Sequence, residues 1–129
     1  MRSMVEPRGT FGIKRIYDPP ADDDGCRVLV DRLWPRGMPK EKAAIDLWLK
    51  DVAPSAGLRT EFNHRPERFA DFSERYRLEL DANPAVEALL GLASSHPRIT
   101  LLYAARNTQA NHARVLLDYI RGRPAGVSG

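Results

Sequence analysis

Three polar segments, far apart along the chain, contain the residue types that bind small anions. They contribute Asp31, Arg32 and Arg36, then Ser55 and Arg59, and finally Arg106, Asn111 and His112. The guanidinium group of arginine presents parallel donors that match two oxygens of a carboxylate or a phosphate. These segments therefore predict an anion-binding site in which the four arginines clamp the ligand and Asn111 orients it.

Asp31 and His112 are the candidates for moving a proton at such a site. A positioned carboxylate can act as a base, and histidine titrates near neutral pH. Structural roles compete with this interpretation. Asp31 would serve equally well as the ion-pair partner of a neighbouring arginine. His112 precedes Val115 and Leu116 on an apolar stripe, which favours a histidine satisfied within the core over a catalytic one.

The other candidate residues also have structural explanations. Ser55 precedes an apolar helical pattern, and no histidine–carboxylate pair is spaced beside it, which favours a helix N-cap over a nucleophile. Arg32 and Arg36 could equally well bond the backbone carbonyls of the loop around Trp34. Trp34 and Trp48 are expected to pack within the protein rather than to stack on a ligand.

Cysteine and histidine usage argues against a metal site. Cys26 is the only cysteine, which excludes an internal disulfide and any multi-cysteine zinc site, and it precedes an apolar strand as an inert thiol would. His64, His96 and His112 show no two-histidine helical spacing. The chain also lacks a glycine-rich phosphate motif. We therefore expect neither a metal nor a cofactor.

Four strands are predicted, and their ends position the polar segments. Apolar and β-branched patterns indicate strands at 11–17, 26–31 and 99–104. A further strand is predicted at 45–51, with one helical turn at 40–44 before it, and a helix from Pro39 through Lys50 is the alternative. In a parallel sheet the ligand crevice lies beyond the carboxyl ends of the strands, which is where the three polar segments fall.

Helical patterns fill most of the remaining chain. Helices are predicted after Ser55, from Pro66, from Asn83-Pro84 and from about Gln109, with Gly122 and Pro124 ending the last one. Asp71 and Arg75 are spaced to pair on an outer helix face. Strands separated by helices predict an α/β domain with a mostly parallel four-stranded sheet flanked by helices.

The segment between the first two strands is short and polar. It is too short for a helical crossover, so antiparallel pairing of those strands, and hence a mixed sheet, is expected. Three successive aspartates, Asp22 to Asp24, indicate a solvated loop rather than a metal site.

The bulk composition limits the class of protein. A chain of 129 residues, 43% of them hydrophobic, has the size of one domain, which we place at 11–122 between disordered tails at 1–10 and 123–129. No apolar run approaches the roughly 20 residues of a membrane span, and no secretory signal is visible, so a cytoplasmic protein is expected. The net charge of +3 is too small to predict nucleic-acid binding by itself.

Several segments resemble the YeaO-like family within the domain-of-unknown-function 488 group. The resemblance is carried by residues 14–19, by the Val-Asp-Arg-Leu-Trp-Pro-Arg-Gly run at 30–37, by residues 53–55 with 58–59, and by residues 100–105 with 111–113. It extends from about Ile13 to Ile120. It implies little about function, because members of this family are uncharacterised.

The same resemblance bears on the candidate chemistry. Members of the broader group often carry a cysteine where this chain has Tyr103, and Cys-His-Arg where it has Asn111-His112-Ala113, so only His112 is retained. More distantly, the layout is similar to rhodanese domains, whose nucleophilic cysteine lies in a strand-to-helix loop. The corresponding loop here, 105–111, has no cysteine, so sulfur transfer is disfavoured and the loop would remain as an anion cradle.

Three hypotheses follow for the function. The first is a site for a phosphorylated or carboxylated small molecule, either binding or enzymatic. The second is a nucleic-acid or nucleotide-binding module, which the arginines and Trp34 permit but no motif supports. The third is an interaction domain whose crevice is vestigial, with its arginines bonded to internal carbonyls. The sequence does not determine the oligomeric state.

Overall fold

The computed structural model describes residues 10–122, so both predicted tails lie outside it except for Thr10, which begins the first strand. The strands are β1 (Thr10–Arg15), β2 (Cys26–Leu29), β3 (Leu47–Trp48) and β4 (Arg98–Tyr103). The α-helices are α1 (Lys40–Ala43), α2 (Ala56–Phe62), α3 (Phe69–Asp81), α4 (Ala85–Gly91) and α5 (His112–Arg121). None of these helices is long and apolar enough to cross a membrane.

The four strands form one sheet that is parallel throughout, in the order β1-β4-β2-β3. The expected antiparallel pairing of the first two strands is wrong, because β4 lies between them. Residues 16–25 must return along β1 and step past β4, a path of roughly 20–25 Å. A segment of this length spans roughly 33 Å when extended, so this parallel crossover needs no α-helix.

The third strand is much shorter than predicted. Only Leu47 and Trp48 pair with β2, and a 3₁₀ turn at Lys50–Val52 then carries the chain away from the sheet. The alternative helix from Pro39 to Lys50 is also wrong, because α1 ends where Ala44 adopts a left-handed conformation with a φ of 48°. The apolar alternation at 45–51 therefore reflects a brief edge contact, whereas the other three strands lie within two residues of their predicted limits.

Alternate strand residues point to two unlike faces of the sheet. Val28, Ile99 and Leu101 pack on the helical face, which helices α2 to α5 cover and which holds the main core. Leu29 and Leu102 point to the opposite side, the loop face, where α1 and the loops around Trp34 cover the sheet. Trp34 and Trp48 meet there edge to face with ring centroids 5.5 Å apart, which confirms their expected packing role.

A buried charged cluster joins the loop face to the β1–β2 crossover. The Arg27 guanidinium donates to the Asp24 carboxylate at 2.5 Å and to the Ala43 carbonyl at 2.8 Å, while Lys14 reaches Asp24 at 3.1 Å. Thr100 of β4 donates its hydroxyl to the Asp24 carbonyl at 2.7 Å. Asp24 is only 6% exposed, so the prediction of a solvated aspartate loop is wrong for this residue.

The helix ends match the predicted capping with two differences. The Ser55 hydroxyl accepts from the Leu58 amide at 3.2 Å, which confirms its N-cap role, and Asp71 pairs with Arg75 at 3.2 Å. Helix α5 begins at His112 rather than near Gln109. Gly122 ends it as predicted, although as the C-cap with a right-handed φ of −77°, and Pro124 lies outside the described residues.

Candidate functional site

A large open cleft lies at the carboxyl ends of β2 and β4, on the side of the sheet facing α2 and α5. Its volume is about 860 Å³, within the usual range of roughly 300–1,000 Å³ for small-molecule sites. Six residues predicted for the site line this cleft: Asp31, Arg32, Arg59, Arg106, Asn111 and His112. Three segments distant in sequence thus meet because their strands are parallel and adjacent.

Two predicted site residues do not line the cleft. Arg36 is exposed in the loop after β2, where the Tyr17 hydroxyl donates to its backbone carbonyl at 2.8 Å. Ser55 is occupied at the start of α2, because its hydroxyl also donates to Glu79 at 2.6 Å. The proposed clamp of four arginines is therefore reduced to three.

Two of the three cleft arginines hold buried donors without a partner. The Nε atoms of Arg32 and Arg59 are buried, and neither has a hydrogen-bond acceptor among the described residues. Within 10–122, no hydrogen bond joins the side chain of Arg32 or Arg36 to a carbonyl of the Trp34 loop, which contradicts the bracing role considered for them. That loop is held instead by Trp34, whose indole donates to the Met38 carbonyl at 2.7 Å.

Asp31 ties the ends of two strands and the edge strand together. Its Oδ2 accepts from the Ala104 amide at 3.0 Å, and its backbone carbonyl accepts from the Trp48 indole at 2.8 Å. Its other carboxylate oxygen, Oδ1, is buried and receives no well-directed hydrogen bond within the described chain. The expected pairing of Asp31 with a neighbouring arginine is wrong, since among the described residues only the His112 ring lies within ion-pair distance of its carboxylate.

The His112 ring is held in place beside Asp31. Its Nε2 lies 3.1 Å from the Val30 carbonyl and 3.2 Å from Asp31 Oδ1. A carbonyl can only accept, so Nε2 carries a hydrogen and directs it at Val30, which leaves Asp31 Oδ1 near the ring but off its donor axis. The Tyr76 ring meets the imidazole edge on at 6.3 Å, so His112 has the packed environment of a structural histidine.

The loop between β4 and α5 forms one end of the cleft. The Asn107 carboxamide accepts from the amides of Gln109 and Ala110, which shapes residues 107–110 into a turn and delays the start of the helix. Asn111 is buried, accepts from the Arg114 amide at 2.8 Å as the N-cap, and donates to the Asn107 carbonyl at 2.7 Å. Asn111 therefore shapes the loop, and its polar atoms are already bonded within the protein.

Sequence reasoning missed a polar corner of the cleft beyond the end of α2. Asn63 and His64 line the cleft, and both adopt left-handed backbone conformations, with φ of 46° and 54°. Asparagine and histidine tolerate that conformation better than most side chains, and Asn63 uses it to end α2 as its C-cap. The signal available in the sequence was the Asn-His pair directly after the apolar stripe of Leu58 and Phe62, which ends a helix but does not point to a ligand.

The rest of the wall is apolar. Pro54, Phe62 and Phe72 lie on the helical side, and Ala104 and Ala105 lie where β4 ends.

Burial raises the pKa of the Tyr76 phenol well above its ordinary value. The charges of Glu79 and Asp31 raise this pKa further, and the charge of Arg32 lowers it. Asp31 and Arg32 of the cleft are therefore close enough to Tyr76 to affect its pKa. Among the described residues, no cluster of three histidine, cysteine or acidic side chains could hold a metal ion.

Fold and site define a small α/β protein with an all-parallel four-stranded sheet and an arginine-lined cleft at the carboxyl ends of its strands. The model of the inactive DUF488-N3 subclade matches residues 10–125. The chain belongs to this subclade of the DUF488 family.

Relatives support this assignment over most of the chain. The uncharacterised protein YeaO of Escherichia coli is 46% identical over 109 residues, which cover 84% of this chain and 94% of the relative. The uncharacterised protein Rv3073c of Mycobacterium tuberculosis is 41% identical over 111 residues, 86% of this chain and 93% of the relative. No solved structure matches the chain significantly, so the distant likeness to rhodanese domains is unconfirmed.

Proposed function

We propose that this protein binds a small phosphorylated or carboxylated molecule in the cleft, without catalysing a reaction on it. The observation that carries the proposal is the pair of buried, unpartnered Nε donors of Arg32 and Arg59, which line the same cavity. A buried donor without an acceptor costs about 1–3 kcal/mol. An anion between the two guanidinium groups would supply the missing acceptors.

The charge of the cleft favours the same class of ligand. Arg32, Arg59 and Arg106 face a single lining carboxylate, Asp31, which leaves two positive charges in excess when the histidines are neutral. The apolar wall from Pro54 to Phe72 offers a surface for the organic part of the ligand. Small binding sites commonly combine such apolar walls with a few fixed polar groups.

Binding is proposed rather than catalysis because the two candidate proton carriers are held by the backbone. His112 Nε2 donates to the Val30 carbonyl, and Asp31 Oδ2 accepts from the Ala104 amide. A general acid or base must exchange its proton with the ligand, and these two atoms serve the fold instead, which leaves Asp31 Oδ1 as a hydrogen-bond acceptor with no second group to relay a proton. The subclade to which the chain belongs is described as inactive, which agrees with this choice.

The test is a titration of the protein with inorganic phosphate and with sulfate, followed by thermal unfolding and calorimetry. Arg59→Gln and Arg32→Gln should each weaken phosphate binding by about 10- to 100-fold, because a charge-assisted hydrogen bond contributes about 1.5–3 kcal/mol. The matched control is Arg36→Gln, which removes an exposed arginine outside the cleft and should leave the affinity unchanged.

Two results would overturn the proposal. One is that neither anion raises the unfolding temperature of the unchanged protein at millimolar concentration. The other is equal weakening by Arg36→Gln and Arg59→Gln, which would indicate a diffuse basic surface. Binding to DNA or RNA that falls steeply with salt, and that the cleft variants share with the control, would favour the nucleic-acid module instead.

A further inference from the structure

The cleft contains an unused acceptor as well as unused donors. Asp31 Oδ1 is buried and lacks a directed hydrogen bond, although its carboxylate side chain is 16% exposed and lines the cavity. The second oxygen of the same carboxylate accepts from the Ala104 amide at 3.0 Å, and this hydrogen bond favours the orientation in which Oδ1 is buried. A ligand that satisfies only the arginines would leave this oxygen unsatisfied.

From this we infer that the cleft selects a hydroxylated phosphate monoester, with the phosphate on the arginines and a hydroxyl group donating to Asp31 Oδ1. The inference rests on the anion-binding function proposed above and specifies its ligand class. The geometric basis is that Arg32, Arg59 and Asp31 line one cavity and that each holds a buried polar atom without a directed hydrogen bond.

Charge balance favours a phosphate monoester over other ligands with two polar ends. A monoester carries a charge of about −1.5 to −2 at neutral pH, which matches the two positive charges in excess on the lining. A zwitterion with a carboxylate and an ammonium group would leave that excess uncompensated and would bring a further cation among the arginines. A neutral hydroxyl at Asp31 adds a hydrogen bond without changing the balance.

The position of Asp31 also restricts where the phosphate can lie. A dianionic phosphate is repelled by a carboxylate, so its oxygens bind the guanidinium groups of Arg32 and Arg59, and the uncharged part of the ligand extends toward Asp31. His112 acts as a positioning residue in this arrangement. Its Nε2–H is directed at Val30 and not at Asp31 Oδ1, so the imidazole gives that oxygen no directed hydrogen bond.

The experiment compares two probes of nearly equal size, glycerol 3-phosphate and n-propyl phosphate, which share the phosphate and differ in their hydroxyl groups. Calorimetric titration of the unchanged protein should show at least about tenfold tighter binding of glycerol 3-phosphate, since a hydrogen bond to a charged acceptor contributes that much. In Asp31→Asn the preference should fall at least about fivefold, because the acceptor loses its charge. The affinity for n-propyl phosphate should stay equal or rise, because a repulsive charge is removed.

The outcomes distinguish the proposal of hydroxyl selection from the proposal of anion binding. Equal affinity of the unchanged protein for both probes would overturn the hydroxyl selection and leave anion binding intact. Failure of both probes and of inorganic phosphate to bind would overturn the proposed function itself. Since Asp31 also bonds Ala104, the unfolding temperature and circular dichroism of Asp31→Asn are measured alongside, and the comparison in the unchanged protein decides the question if that variant fails to fold.

Discussion

At the residue scale, Asp24 and Asp31 differ in the hydrogen bonds that their carboxylate oxygens accept. Asp24 is surrounded by donors from the Arg27 and Lys14 side chains and from the Ala21 amide. Asp31 is bonded through one oxygen only. A carboxylate whose oxygens are all satisfied stabilises the fold, whereas one with a buried unsatisfied oxygen is a candidate for a ligand. This contrast, and not residue type, is the basis on which Asp31 rather than Asp24 is proposed to contact a ligand.

Asp24→Asn should destabilise the protein by about 3–5 kcal/mol, the usual cost of removing one partner from a buried ion pair. The physical reason is that the Arg27 guanidinium, only 4% exposed, would keep its charge without a compensating carboxylate. Urea unfolding measures the change. Asp22→Asn and Asp23→Asn are matched controls because these neighbours are exposed, and a loss for them as large as for Asp24 would contradict this account.

At the element scale, the two helices that border the cleft begin with side-chain caps, and neither cap is free to act on a ligand. Ser55 caps α2 through the Leu58 amide, and Asn111 caps α5 through the Arg114 amide. Because α2 has only seven residues, its position depends on such end interactions and on Leu58 and Phe62, which anchor it in the core. Arg59 is therefore positioned by a short element that the cap stabilises.

Ser55→Ala should cost about 1 kcal/mol of stability, the typical loss for removing an N-cap hydroxyl, with no direct loss of a ligand contact. Ser55→Thr keeps the hydroxyl and should restore most of the stability. Denaturant titration and phosphate titration of both variants provide the measurement. If Ser55→Ala abolished phosphate binding at unchanged stability, Ser55 would have to be a ligand residue after all.

At the scale of the whole molecule, the sheet separates groups that titrate at opposite ends of the pH range. On the loop face, burial alone would raise the pKa of Asp24, but hydrogen bonds from the Ala21 amide, Lys14 and Arg27 outweigh it and bring the pKa below its ordinary value. On the helical face, burial raises the pKa of Tyr76 well above its ordinary value, and burial also raises the pKa values of Cys26 and Tyr103.

The stability of the protein should therefore fall at both pH extremes for different reasons. The contribution of Asp24 is present above its unfolded pKa of about 3.9 and is lost as the pH falls through the lower folded value. Tyr76 stays protonated in the folded protein, so stability falls once the pH exceeds its unfolded pKa of about 10.

Urea unfolding at a series of pH values would resolve these two limbs. Tyr76→Phe should flatten the alkaline limb relative to the unchanged protein, and Asp24→Asn should flatten the acid limb. The unfolding free energies of each variant are compared with those of the parent at every pH. A variant that lowered stability by a constant amount across the range would show that its group does not titrate on unfolding.

The sequence by itself determined most of the elements and the composition of the candidate site. The strands near 11–17, 26–31 and 99–104, the capped helices and the family membership followed from local patterns, because periodicity and capping are short-range properties. The sequence also predicted that Arg32, Arg59 and Arg106 line one cleft, because the segments that contain them follow strands whose carboxyl ends meet at one edge of a parallel sheet.

Only the tertiary structure decided which of those residues line the cleft and which polar atoms are already bonded within the protein. Strand order is a long-range property, so the insertion of β4 between β1 and β2, and with it an all-parallel sheet, was not visible in any local pattern. The same holds for the environment of each side chain. The burial of Asp24, the exclusion of Arg36 and Ser55 from the cleft, and the lack of a directed hydrogen bond at Asp31 Oδ1 depend on neighbours that are distant in sequence. The type of a residue determines which hydrogen bonds its side chain can make, and the fold determines which partners lie within reach.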